Sequence, residues 1–225
     1  NLDSLGLAVF NSNDIYPISA DSTLPFAQHR DIFYLTGIDQ EETILLLFPE
    51  AKNPRHREIL FIKETNEHIA VWEGEKLSKT KANKLSGIET ILWISDFENM
   101  FFKLTTQSEL FYFNTNEHYR ASVETQTRED RFIEWAKKKY PAHNVAKSNP
   151  ILQKLRSVKS AEEIKQIQIA CDITEKGIRR LFSFIKPGVW EYEIEAELAH
   201  EFMKNKSKGF AYTPIIASGK NANIL

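Results

Sequence analysis

The sequence predicts a mixed α/β protein built in two parts, and three observations lead to this fold class. Short apolar runs rich in β-branched and aromatic residues, typical of strands, dominate residues 7–72. Helical patterns alternate with further strand-like runs from residue 74 to residue 140. Beyond residue 156, apolar residues recur at helical spacing over two long stretches. Early strands followed by interleaved helices indicate a mixed sheet covered by helices.

The composition is that of a globular protein without a strongly charged surface. The 225 residues are 42% hydrophobic and 27% charged, with a mean hydropathy of −0.40 and a formal net charge of −2. A nucleic-acid-binding face needs a clustered basic excess, so we expect no nucleic-acid partner. No apolar run approaches the ~20 residues that span a bilayer, so we expect no membrane partner. The single cysteine, Cys171, excludes an intrachain disulfide and favours a cytoplasmic protein.

Five apolar runs predict strands in the first part of the chain. The run at residues 43–48 has no polar alternation, which predicts a central strand covered on both faces. The runs at residues 59–62 and 69–72 are separated by a short polar link and are predicted to pair as a hairpin. In chain order, the five runs are residues 7–10, 31–36, 43–48, 59–62 and 69–72.

Helices and further strands are predicted to alternate over the next stretch. The last of these helices carries Phe132, Trp135 and Ala136 on one stripe and stops before Pro141. Residues 141–150 contain proline and show no periodicity, so we place a domain boundary at residue 150. The predicted helices are residues 74–86, 97–104 and 127–140, and the predicted strands are residues 88–94 and 110–113.

A capping box opens the second part of the chain. The Ser160 hydroxyl can accept from the backbone of Glu163, whose side chain can reach back to the cap. Apolar residues then recur at spacings of three and four as far as Ile185, which predicts a long helix, and residues 191–205 predict a second one. Residues 210–217 have strand composition and lead into a turn, but a partner strand is missing. We therefore expect the chain to be part of a larger protein.

The positions of the reactive side chains in the sequence indicate structural roles. Glu197 and His200 have the i, i+3 spacing of half a di-metal site, but no second such pair occurs and Glu197 falls on the solvent side of its helix. Cys171 lies on the buried stripe of the long helix, where burial would raise the thiol pKa. None of the six histidines has the spacing of a metal-binding pair, so we expect structural roles for them. His29 is notable because it lies in a loop with Pro25 and Phe26, and loops often carry functional residues. No glycine-rich phosphate loop, nucleophile elbow or CxxC occurs, so the residues alone predict no complete active site.

Four stretches carry motifs of one known family. They are residues 25–37 (PFAQHRDIFYLTG), residues 155–164 (LRSVKSAEEI), residues 186–188 (KPG) with Glu191, and residues 211–225 (AYTPIIASGKNANIL). In this order they resemble the Xaa-Pro aminopeptidases, the aminopeptidase P family of the pita-bread metallopeptidases. The first stretch is similar to the signature of that family's N-terminal domain, and the last resembles a segment that in the family runs directly into a His-Tyr pair.

The resemblance implies a creatinase-like, mixed-sheet N-terminal domain at residues 1–150 and the truncated start of a pita-bread α+β catalytic domain at residues 151–225. It also implies two Mn²⁺ ions held by two Asp, one His and two Glu, all expected beyond Leu225. The metal ions would activate a bridging water that attacks the bond preceding proline. We therefore expect no catalytic residue and no metal ligand in this chain, and we expect residues 1–225 alone to be inactive.

Two residues are implied to act in substrate binding. Tyr212 matches a family tyrosine close to the metal centre, where its phenol could orient a ligand carboxylate. Trp72 resembles a tryptophan of bacterial members that reaches a neighbouring subunit's pocket, so we expect a homo-oligomer with Xaa-Pro peptides as partners. Packing without a functional role is the alternative for both residues. His29 and Arg30 depart from the family signature, and no role is assigned to them.

Two other interpretations of the resemblance stay open. The first is a sister enzyme, prolidase or creatinase, and the second is a non-catalytic pita-bread protein-interaction module. The signature at residues 25–37 favours the peptidase. The residues that would distinguish these alternatives are expected beyond Leu225.

Overall fold

The structure is a computed structural model that describes residues 2–116, 118 and 124–224. The chain divides into two units, Asn1–Leu155 and Arg156–Leu225. Within the described residues, no helix is both long enough and apolar enough to cross a bilayer.

The described part of the first unit contains eight strands, six of which form one mixed sheet. They are β1 (Gly6–Asn11), β2 (Pro17–Ser19), β3 (Ser22–Thr23), β4 (Ile44–Leu47), β5 (Glu58–Ile62), β6 (Thr90–Trp93), β7 (Leu110–Phe113) and β8 (Asn144–Lys147). The sheet has the order β6-β5-β4-β1-β7-β8, and β2 pairs with β3 as a separate ribbon. β4 is antiparallel to both β1 and β5, whereas the pairs β1–β7, β5–β6 and β7–β8 are parallel. This arrangement confirms the predicted mixed-sheet fold class.

Helices cover both faces of the sheet. α4 and α5 pack on one face through residues such as Phe101 and Phe132. α1, α3 and α6 cover the opposite face through Ile32, Ala82 and Leu152. In chain order the helices up to the division between the units are α1 (Arg30–Thr36), α2 (Glu67–Glu73), α3 (Lys79–Ser86), α4 (Phe97–Thr105), α5 (Arg128–Lys139) and α6 (Asn149–Ser157).

The central strands alternate between these two cores. Leu7 and Val9 of β1 belong to the core under α4 and α5, whereas Ala8 and Phe10 belong to the opposite core. β4 lies between β5 and β1 and is buried in the same way. The structure therefore confirms the prediction of a central strand at residues 43–48. It also confirms β1, β5, β6, β7, α3, α4 and α5 within a few residues of their predicted bounds.

Residues 31–36 form helix α1, so the prediction of a strand there was wrong. The His29 side chain caps the helix by accepting from the Asp31 N–H, and Gly37 ends it in the left-handed conformation. Ile32 and Thr36 are buried, and a helix places these i, i+4 residues on one face. Packing against the sheet thus outweighs the strand preference of an aromatic-rich run.

Residues 69–72 form part of helix α2, so the predicted hairpin with residues 59–62 was also wrong. β5 pairs with β4 along one edge and with β6 along the other. Because both of its edges are occupied, β5 has no hydrogen-bonding groups left for a third strand. The sequence also gave no sign of β8, whose polar run Asn144–Lys147 becomes a strand by pairing with β7.

The second unit contains two packed helices, α7 (Ala161–Phe184) and α8 (Glu191–Lys204). The capping box of Ser160 and Glu163 is present as predicted. The helices approach closely at Gly177, where an added Cβ would lie 2.6 Å from Leu198 Cδ1 and 2.7 Å from Phe202 Cε1. Both predicted helices are therefore confirmed, with a glycine at their contact.

The terminal strand predicted at residues 210–217 was wrong. These residues are irregular, and Gly219–Asn223 forms a 3₁₀ turn. A strand requires a partner for its backbone groups, and no strand lies in the described part of the second unit. Leu225, the last residue of the fourth motif, lies outside the described residues.

Candidate functional site

Trp72 lies on α2, a helix held by ion pairs. Its side chain is 79% exposed, and the neighbouring Val71 is 78% exposed. Lys63 Nζ lies 2.7 Å from Glu73 Oε2 on α2 and 3.2 Å from Glu42 Oε1. Burial alone would lower the Lys63 pKa, but the hydrogen bonds to Glu73 and Glu42 outweigh it and raise the pKa. Lys63 therefore stays charged and fastens the segment that presents Trp72.

Tyr212 lies in the irregular terminal segment and is 79% exposed. After Tyr212, the same segment is held against the first turn of α8 by the Glu191 carboxylate. Oε1 of Glu191 accepts from Ser218 N at 2.7 Å, from Ser218 Oγ at 3.2 Å and from Asn221 Nδ2 at 3.1 Å. The backbone hydrogen bond from Ser218 is the main reason that the Glu191 pKa is lowered. The motifs contained both partners, but their contact spans 27 residues and appears only in the fold.

Glu197 and Cys171, the other candidate reactive residues of the second unit, lie in separate places. Glu197 Oε2 accepts from Arg180 Nε at 2.7 Å, and this bond lowers the Glu197 pKa. The charge of His200 also lowers the Glu197 pKa, in keeping with the solvated pair expected from the sequence, and α7 adds Arg180 as a further partner. Cys171 is exposed, contrary to its predicted burial, because α8 contacts α7 around Gly177 instead.

The first unit contains a half-buried carboxylate, Glu129, that no sequence pattern indicated. Glu129, in the first turn of α5, accepts from Asn11 Nδ2 at 2.8 Å and from Asn114 N at 3.3 Å. Burial raises the pKa of Glu129 to about 7, although these hydrogen bonds oppose the shift. An acidic residue in a first helical turn is common, so nothing in the sequence distinguished Glu129 from a solvated neighbour of the helix N-terminus.

The described residues do not form a metal centre. Within residues 2–116, 118 and 124–224, no group of three or more His, Cys, Asp and Glu side chains could hold a metal ion. The residues present therefore do not fit the two Mn²⁺ ions that the family resemblance implies, and we assign none of them as a ligand.

Both units resemble domains of known proteins. Residues 1–112 match the family model of the aminopeptidase P N-terminal domain, and residues 165–225 match that of metallopeptidase family M24. The chain is 27% identical over 208 residues to the Xaa-Pro aminopeptidase of Escherichia coli strain K12, covering 92% of this chain and 47% of the relative. It is 25% identical over 216 residues to human Xaa-Pro aminopeptidase 3, covering 95% of this chain and 42% of the relative. The chain thus spans less than half the length of these relatives.

Solved structures share the fold. An aminopeptidase P structure from Bacillus anthracis superposes with a TM-score of 0.88 at 28% identity, covering all of this chain and 53% of that one. The low-pH form of E. coli aminopeptidase P gives a TM-score of 0.85 at 25% identity, covering all of this chain and 51% of that one. These likenesses confirm the predicted fold class.

Proposed function

The chain consists of an aminopeptidase P N-terminal domain and the start of an M24 metallopeptidase catalytic domain, and from this premise we propose that the whole protein is a metallo-aminopeptidase. Its substrates are peptides with proline in the second position, and the reaction releases the residue before that proline. The observation that carries the proposal is the match of nearly the whole chain to relatives named Xaa-Pro aminopeptidase. The proline ring fixes φ and removes the amide N–H, so the substrate needs a pocket of matching shape.

In this protein, residues 1–225 and the rest of the chain would have different roles. Residues 1–150 form the N-terminal domain and residues 151–225 begin the catalytic domain. Two Mn²⁺ ions would be held by side chains outside this chain. Trp72 and Tyr212 supply exposed aromatic surface for the substrate, and Trp72 acts in the pocket of a neighbouring copy in a cytoplasmic homo-oligomer.

A comparison of residues 1–225 with the whole protein tests this function. We expect the whole protein to release the first residue from an Xaa-Pro-Xaa tripeptide in the presence of Mn²⁺, EDTA to stop the reaction, and residues 1–225 to be inactive. Cleavage of only an Xaa-Pro dipeptide would indicate a prolidase, and hydrolysis of creatine a creatinase. If the whole protein hydrolyses none of these, the enzyme proposal is wrong and a protein-interaction module replaces it.

Substitution of the two proposed site residues in the whole protein should separate their roles. Trp72→Ala should raise KM about tenfold with kcat nearly unchanged, because it removes contact area that substrate and transition state share. Tyr212→Phe should lower kcat about tenfold, because it removes only the hydroxyl that orients a ligand. Steady-state kinetics on the tripeptide give both values.

Val71→Ala is the matched control for Trp72→Ala, since Val71 is equally exposed on the same helix. It should leave both constants within about twofold of the wild type. Unchanged kinetics in Trp72→Ala or Tyr212→Phe would remove that residue from the proposed site without affecting the assignment of the activity.

A further inference from the structure

A crevice of about 550 Å³ opens in the first unit at the carboxyl ends of β1 and β7. Asn11 ends β1, Asn114 follows β7, and both line the crevice. Arg128 and Glu129 line it from the first turn of α5, and Asp14 from the segment after β1. Its volume suits a ligand the size of an amino acid derivative.

The topology of the sheet places this crevice at a preferred ligand-binding position. β1 and β7 are parallel neighbours in the sheet. From β1 the chain continues through α1 to β4 on one side, and from β7 it continues through α5 to β8 on the other. In open α/β sheets, ligands bind outside the carboxyl ends of strands at the point where the connections diverge in this way.

Arg128 lines the crevice, and its guanidinium has no hydrogen-bonded counterion among the described residues. Its backbone N–H donates to Asp14 Oδ2 at 2.8 Å, but within the described part of the chain no oxygen accepts from its guanidinium. Arg131, one turn further along α5, instead pairs with Asp14 Oδ1 at 2.6 Å. Burial lowers the Arg128 pKa, and the charges of Glu42 and Asp14 oppose this shift. A partly buried guanidinium has five donors to offer an anion.

The other charges of the crevice limit the negative charge that a ligand paired with Arg128 can carry. Three carboxylates line the same walls and already accept hydrogen bonds from protein groups: Asp14, Glu129 and Asp130. A dianion such as phosphate would meet stronger repulsion from these groups than a monoanion would. The crevice is also lined by apolar surface, from Leu24 and Pro25.

We propose that this crevice binds a small organic monocarboxylate whose carboxylate pairs with the Arg128 guanidinium and whose apolar body contacts Leu24 and Pro25. Bidentate pairing with a carboxylate satisfies two guanidinium donors at once and is stronger than a neutral hydrogen bond. The inference concerns the N-terminal domain alone and does not depend on the proposed peptidase activity.

Calorimetric titration of the metal-free whole protein with N-acetylleucine tests this site. The blocked amino group keeps the probe from being an aminopeptidase substrate, so the result is independent of the proposed activity. We expect the wild type to bind the probe and Arg128→Met to bind it at least about tenfold more weakly, the loss of one charge-assisted pair. Arg131→Met makes the same charge change on the same helix and should retain binding within about threefold.

Five outcomes would overturn the proposal: no binding to the wild type, unchanged binding to Arg128→Met, equal losses in both arginine variants, equal binding of the neutral N-acetylleucinamide, or tighter binding of inorganic phosphate. Circular dichroism checks that each variant folds. Should Arg128→Met fail to fold, Arg128→Gln removes the same charge while keeping a polar side chain, and the same tenfold loss is required of it.

Discussion

Replacing Phe101 by alanine should lower the free energy of unfolding by about 3–5 kcal/mol. The Phe101 side chain is fully buried, and its ring centroid lies 5.5 Å from that of Phe111 and 5.7 Å from that of Phe132. Alanine would leave a cavity between α4, α5 and the sheet, because a close-packed core relaxes only in part. Urea unfolding followed by tryptophan fluorescence measures the change, since Trp135 lies beside the same ring cluster.

Phe102→Ala is the matched control for this experiment. Phe102 is the next residue of the same helix and is 58% exposed, so its loss should cost less than about 1 kcal/mol. Equal costs at the two positions would contradict the placement of α4 with Phe101 against the sheet. A slip of one residue in the helix would instead reverse the two costs.

Replacing Glu129 by glutamine should remove a pH dependence from the stability of the first unit. The pKa of Glu129 is about 7 in the folded protein and 4.5 in the reference state, because burial disfavours the charged form. The folded state therefore holds more protons than the unfolded state between these two values. The contribution of Glu129 to the free energy of unfolding is therefore largest below pH 4.5. It falls as the pH rises through 7, by about 3 kcal/mol in total.

Urea unfolding from pH 5 to pH 8 measures this effect. The wild type should become less stable as the pH rises, whereas the slope of Glu129→Gln should be smaller. At pH 8 the variant should exceed the wild type by about 2 kcal/mol, since the neutral amide keeps an acceptor for Asn114 N without a buried charge. Glu134→Gln, an exposed carboxylate on the same helix, should keep the wild-type slope. Equal slopes in Glu129→Gln and the wild type would contradict the burial of the charge.

Continuous apolar runs predicted the central strands correctly. β1, β4 and β5 were predicted because each is apolar on both faces, and the two-sided burial of the sheet is the reason for that pattern. The cap of α7 was equally local, since Ser160 and Glu163 satisfy each other within one turn.

Short runs of ambiguous composition could not be assigned in this way. α1 and α2 contain the aromatic and β-branched residues typical of strands, and their helical state depends on packing and on the occupied edges of β5. β8 has almost no strand signal of its own and exists because β7 offers an edge. In each case the secondary structure is determined by packing or pairing with residues distant in sequence.

The candidate sites show the same division. The motif that contains Glu191 was visible, but its hydrogen bonds to Ser218 and Asn221 were not. Arg128 and Glu129 are consecutive charged residues that any solvated helix start could carry. Only the sheet brings them to the ends of two parallel strands, where one carboxyl is half-buried and one guanidinium has no acceptor among the described residues.

The sequence by itself determined the mixed α/β class, because periodicity is a property of neighbouring residues. It also contained the motifs whose resemblance pointed to aminopeptidase P. The tertiary structure alone decided which short runs become helices, which carboxylate has a pKa near 7 and where a crevice opens beside Arg128. These features depend on desolvation and on hydrogen bonds between residues more than 100 positions apart, such as Asn11 and Glu129. Local sequence patterns contain no measure of such distances.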